Sequence, residues 1–116
     1  MTLESLVREF AENVAAQSDA IFQAGADPED THGERYLAAF DELRARGNEG
    51  REALCVLLKH PRMDVRATAA AFLLRYRTAE ARAVLEEAAR GEGLVAFGAQ
   101  ETLKGWDEGV WDLDPE

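Results

Sequence analysis

Apolar side chains recur along the chain at spacings of three and four, the period of helices that turn one face to a core. Leu3, Leu6, Val7, Phe10, Val14, Ile21 and Phe22 form the first stripe. They predict a helix from about Thr2 to Ala24, with Gly25 placed to end it. Two start signals compete in "DPEDTHGERY": Asp27 before Pro28, and Thr31 with Glu34 three residues on. The second helix presents Tyr36, Leu37, Phe40 and Leu43, and Gly47 stops it. Asn48 is the expected cap of a third helix carrying Ala53, Leu54, Leu57 and Leu58.

The passage "LLKHPRMDVRATAAAFLL" breaks that helix and restarts at once. Proline biases the residue before it out of the helical region, so His60-Pro61 ends helix three. Asp64 then suits the N-terminus of helix four, where the dipole favours a carboxylate. Val65, Ala69, Phe72, Leu73 and Tyr76 form the next stripe, and Ala67, Ala69, Ala70 and Ala71 permit a close neighbour. The break is thus read as a tight turn between antiparallel helices. Thr78 is the expected cap of helix five, with Val84, Leu85 and Ala88, closed by Gly91. After the "GEGL" turn, helix six is expected from about Leu94 to Lys104, with Phe97, Ala99 and Leu103.

The second pair of helices echoes the first. Ala53-Leu54 corresponds to Ala83-Val84 at an offset of 30, and Ala70 and Leu74 to Ala99 and Leu103 at 29. A period of paired helices points to an α-solenoid. The expected class is all-α: five or six helices, as antiparallel hairpins in a short right-handed superhelix. One domain is expected, with an N-terminal pair over 1–47, a central hairpin over 48–77, a second hairpin over 78–106 and a cap or tail over 107–116.

The frame "LL-x-HP-x-x-DVR-x-x-AA-x-x-L", from Leu57 to Leu73, resembles a HEAT-like, armadillo-type repeat. The longer stretch "LLKHPRMDVRATAAAFLLRYRTAEARAVLEEAARGEGLVAFGAQETLKGW" is similar to an uncharacterised bacterial family, domain of unknown function 2019. That likeness covers residues 50–106 well and the N-terminal helices more loosely. It implies a helical-hairpin fold and carries over no catalytic residues.

Charge adds a second pattern. The net charge is -10, but residues 51–78 carry 6 basic and 2 acidic side chains, between acidic segments of 4 against 11 and 3 against 10. Such a split suits a charged partner as well as solubility. The single cysteine, Cys55, lies in an apolar run and is expected to be a buried free thiol, in keeping with a reducing cytoplasm. "MTLESLVREF" lacks the features of a signal peptide, and no apolar run is long enough for a bilayer. A cytoplasmic protein is therefore expected.

Candidate chemistry is sparse. His32 and His60, both near helix ends, are expected to cap or face solvent, and with one cysteine they make no zinc pattern. Neighbours such as Glu86-Glu87 read as a solvated face, and "GEGL" is too short for a phosphate loop. No catalytic residue, metal or cofactor is expected. Arg62 and Arg66 are candidates for anion binding or for a structural role, with Arg75 and Arg77 too far along the helix to complete one patch. Some HEAT-like proteins are DNA glycosylases with a basic surface, but the flanking acid here argues against nucleic acid.

The ending "GWDEGVWDLDPE" interleaves apolar and acidic residues. It reads as a cap over the last hairpin, or as a docking segment in which Trp106, Trp111, Asp107, Glu108, Asp112 and Asp114 bind a protein. The function expected from the sequence is non-catalytic protein binding, with a basic partner. Small size, acidity and a HEAT-like form suggest an immunity protein that neutralises a toxin nuclease. Two alternatives stand: an enzyme or ligand-binding protein with a pocket between hairpins, whose signature would be buried carboxylates, or Tyr36 and Tyr76 lining an apolar cavity with Arg66, and a self-associating module. Monomer and homodimer both remain open.

Overall fold

The computed structural model describes residues 1–24 and 31–114. They form six α-helices, with no strand among them: α1 (Leu3–Ala24), α2 (Thr31–Ala45), α3 (Asn48–Leu54), α4 (Met63–Leu73), α5 (Thr78–Ala89) and α6 (Leu94–Asp107). A 3-10 turn, Cys55–Lys59, continues α3 to the break at His60-Pro61. The all-helical expectation and the helix order hold. The chain falls into two compact units, Met1–Leu57 and Leu58–Glu116.

In the first unit α1 packs on α2, and α3 packs on both. Thr2 caps α1, its Oγ1 accepting from the Ser5 N–H at 3.0 Å. Leu6, Val7, Phe10 and Val14 are buried from α1, and Phe40 and Leu43 from α2. The Tyr36 ring stands edge-on to Phe10 at 5.5 Å, and His32 Nδ1 lies 3.2 Å from Asn13 Oδ1. Contacts that advance along α1 retreat along α2, so the two helices are antiparallel. Asn13 is buried, its amide donating to the Glu9 carbonyl at 2.8 Å, so its polar atoms are satisfied away from water. His32 is therefore a link between helices, where a cap or an exposed ring was expected.

Phe22 departs from the expected stripe and is 93% exposed. At 3.6 residues per turn it lies about 120° round the helix from Phe10, whereas Ile21 stays on the buried side. The expected Gly25 stop and the Asp27-Pro28 start lie outside the described residues. Gly47 does end α2, with φ 70°, and it also occupies the N-cap position of α3. Asn48 is thus already helical and accepts from Arg51 at 3.4 Å instead of capping the backbone. Cys55 is half-buried, not fully enclosed, and its thiol donates to the Arg51 carbonyl at 3.4 Å.

A glycine outside the apolar stripes, Gly50, sets the approach of α3 to α2. A Cβ at Gly50 would sit 1.8 Å from the Leu43 carbonyl oxygen, backbone that cannot swing aside.

In the second unit α4 packs on α5 and α6, and α5 packs on α6. Val65, Ala69, Ala70, Phe72, Leu73 and Leu74 are buried, as are Ala81, Leu85 and Ala88 of α5 and Ala96 and Ala99 of α6. Arg82 reaches Asp107 at 2.9 Å, and Gln100 donates to the Ala89 carbonyl at 2.9 Å, so α5 and α6 run antiparallel. Thr78 is the first helical residue of α5 and not its cap; the N-cap position falls to Arg77, with no side-chain cap bond. Phe97 leaves the expected stripe and is 60% exposed, because residues two apart, such as Phe97 and Ala99, cannot share one helical face.

Gly50→Ala is expected to destabilise the protein by roughly 1–3 kcal/mol or more through steric overlap. Urea unfolding checks this, and Gly98→Ala, whose Cβ would meet nothing within 4 Å, is the contrasting variant.

Candidate functional site

The turn into α4 consumes its own polar groups. Pro61 offers no N–H, and the next one, on Arg62, donates to His60 Nδ1 at 3.0 Å. That nitrogen therefore carries a lone pair, and His60 is a turn-capping residue as expected. Arg62 forks onto Asp64 at 2.8 and 3.1 Å, and Asp64 Oδ1 also accepts from the Val65 N–H. Arg66 turns back along the helix to donate to the carbonyls of His60 at 2.7 Å and Pro61 at 3.3 Å. Arg62 and Arg66 thus make structural bonds within the turn. Further along, Arg75 stands over the Trp111 ring and Arg77 over the Tyr76 ring.

The C-terminal segment begins with a glycine reversal. α6 runs three residues beyond the expected Lys104, to Asp107, and Gly109 takes φ 78°. The Gly109 N–H donates to the Trp106 carbonyl and the Val110 N–H to the Gly105 carbonyl, the paired bonds of a Schellman motif. The chain then returns towards α4. Trp111 meets Trp106 edge to face at 5.3 Å and donates its indole N–H to the Ala71 carbonyl at 2.8 Å. Ala71 is in the last turn of α4, where carbonyls lack intrahelical partners. Asp114 is 1% exposed and lies 3.6 Å from the Arg75 guanidinium, so this enclosed carboxylate has a cationic neighbour.

These contacts sort the six tail residues. Trp106, Trp111 and Asp114 are packed within the unit, and Asp107 is held by Arg82. Glu108 and Asp112 face solvent. The Arg82 hydrogen bond holds the Asp107 carboxyl below its ordinary value, and the same bond raises the Arg82 guanidinium. Arg82 is not singled out in the sequence, and Arg75 is weighed there only for an anion-binding patch, because their acidic partners Asp107 and Asp114 lie far along the chain.

A surface remains on α6 that this packing does not cover. Leu94 is 70% exposed and Phe97 60%, and Gly98, Glu101 and Glu108 are exposed at helical spacings on the same side. Val110 is also exposed, and its Cγ2 would be 3.8 Å from a Cβ on Gly105. Among the described residues no group of three or more His, Cys, Asp and Glu side chains could hold a metal ion. Among the same residues no helix is long and apolar enough to cross a membrane.

Arg66→Ala is expected to cost about 1–3 kcal/mol by leaving turn carbonyls without their charged donor. Arg66→Lys should recover only part of that, since a point charge cannot reproduce the guanidinium geometry. Thermal unfolding of both variants checks the pair. For Asp107 the depressed carboxyl sets the sign: its contribution is present above the ordinary carboxylate range, near 3.9 for Asp, and is lost as pH falls through the lower folded value. The stability difference between the parent and Asp107→Asn should therefore be present at neutral pH and vanish in strong acid, as measured by a pH series of melting curves.

Comparison with known proteins places the chain beside a described family. The model of a family described as Domain of unknown function (DUF2019) matches residues 4–107. No curated protein and no solved structure matches the chain.

Proposed function

The chain belongs to the DUF2019 family, whose description assigns no activity, and we propose from its own surface that it is a non-catalytic protein-binding module for a basic partner. The observation that carries this is the sign of the exposed charge at the C-terminal end. Residues 91–116 hold one basic side chain, Lys104, and seven acidic ones. Glu92, Glu101, Glu108 and Asp112 are exposed among them, beside the exposed apolar side chains Leu94, Phe97 and Val110. Carboxylates around apolar contacts attract a cationic partner and leave an apolar surface for it to bury.

The side chains best suited to catalysis support the non-catalytic part of the reading. His60 accepts a backbone N–H, His32 meets Asn13, and Arg66 binds two carbonyls. The HEAT-like reading of the helical pairs belongs to the same proposal, since stacked pairs serve as broad binding surfaces. Neutralisation of a basic toxin nuclease is one form such binding takes.

The test is a pull-down of the tagged chain from its native extract at two salt concentrations, read by mass spectrometry. A basic protein retained at low salt and weakened at high salt is the expected result, because exposed charges are screened by added ions. Retention of nothing at either salt, or of an acidic protein insensitive to salt, would contradict the reading.

A further inference from the structure

The outer face of α6 combines three features that its own unit does not explain. Leu94 and Phe97 leave most of their surface in water, adjacent on one side of the helix. Between them and Glu101 stands Gly98, inside a regular helix and without a positive φ. A glycine there weakens a helix by about 1 kcal/mol relative to alanine. Nothing lies within 4 Å of where its Cβ would be, so no neighbour in the chain demands the missing side chain. Gly50 shows what such a demand looks like, with a carbonyl oxygen 1.8 Å from the same position. An open glycine beside two exposed apolar side chains is a place where another backbone can approach closely.

The charge around this face selects the occupant. Glu101 and Glu108 follow Leu94 at intervals of seven residues, on the same side, and Glu92 precedes the helix. Lys104, exposed seven residues after Phe97 and so on the same side, is the one basic side chain of α6 and is outnumbered by Glu92, Glu101 and Glu108. A second copy would set three carboxylates and one lysine against the same set, whereas a cationic segment would neutralise the excess of carboxylates.

We propose that the Leu94–Phe97–Gly98–Glu101 face of α6 is a docking surface for a basic amphipathic helix. The partner's apolar stripe lies over Gly98, alongside Leu94 and Phe97, and its lysines or arginines meet Glu92, Glu101 and Glu108. This rests on the basic-partner reading above and assigns that partner a form and a place.

The test uses fluorescence anisotropy with a labelled peptide of about 20 residues, leucine at i, i+3, i+4 and i+7 and lysine elsewhere. A peptide with glutamate in place of lysine is the control. The full chain should bind the lysine peptide and not the glutamate one. Phe97→Ala should weaken binding roughly tenfold, as for a central apolar anchor, and Gly98→Leu at least as much. Circular dichroism should show both variants folded, since neither position is packed within the unit. Gly98→Ala should raise the melting temperature while weakening the peptide, a pairing that an incidental glycine would not give.

Three results would overturn the proposal. Binding unchanged by Phe97→Ala and Gly98→Leu would move the basic partner to another surface and leave the basic-partner reading standing. No binding of the lysine peptide would remove this form of partner, while the pull-down decides that reading separately. A dimer in light scattering that Phe97→Ala dissolves would make the occupant a second copy of the chain.

Discussion

The C-terminal unit turns on one hydrogen bond, from the indole N–H of Trp111 to the carbonyl of Ala71. A helix leaves its last carbonyls without partners, and a tryptophan needs somewhere to put its N–H when the ring is packed. Each group solves the other's problem. The positive φ at Gly109 reverses the chain so that they meet, and Arg75 covers the indole and approaches the enclosed Asp114. The segment after α6 is therefore part of the unit's packing. The tail goes to α4, and Leu94 and Phe97 on the outer face of α6 stay exposed.

The cations of this unit work mainly within it. Arg62 and Arg66 fasten the turn before α4, Arg75 accompanies Asp114, Arg77 lies over Tyr76, and Arg82 holds Asp107. The N-cap residues of α3, α4, α5 and α6 make no side-chain cap bond, and at α4 it is Asp64, inside the first turn, whose Oδ1 accepts the Val65 N–H. Glu92, Glu101, Glu108 and Asp112, by contrast, are exposed.

The helices were legible because burial imposes a period of 3.6 residues, and Leu6, Phe10, Val14, Phe40, Leu43, Val65, Leu73 and Leu85 obey it. His60-Pro61 marked the break correctly for a local steric reason. Phe22 and Phe97 were misassigned when apolar character was allowed to outweigh angle around the helix. The caps at Asn48 and Thr78 failed because side-chain type was read without the backbone conformation that places Gly47 and Arg77 one residue earlier. Gly50 and Gly109 look alike in sequence, yet one yields to a neighbouring carbonyl and the other to a positive φ. The candidate site was legible only as a composition, tryptophans among carboxylates. Which of them turn inward depends on partners as distant as Ala71 from Trp111, forty residues apart, and no local pattern encodes that pairing.

The central claim is that the tail is a folded strap, with the proposed docking face on α6 left uncovered beside it. Nitrogen-15 NMR of the two tryptophan indoles tests this most directly. Assignment by Trp111→Phe identifies the Trp111 N–H, which should exchange slowly with solvent deuterium and shift away from the position of a solvated indole. An indole N–H for Trp111 that exchanges at the rate of an unstructured peptide would contradict the account, and would return the tail to the role of a free docking segment.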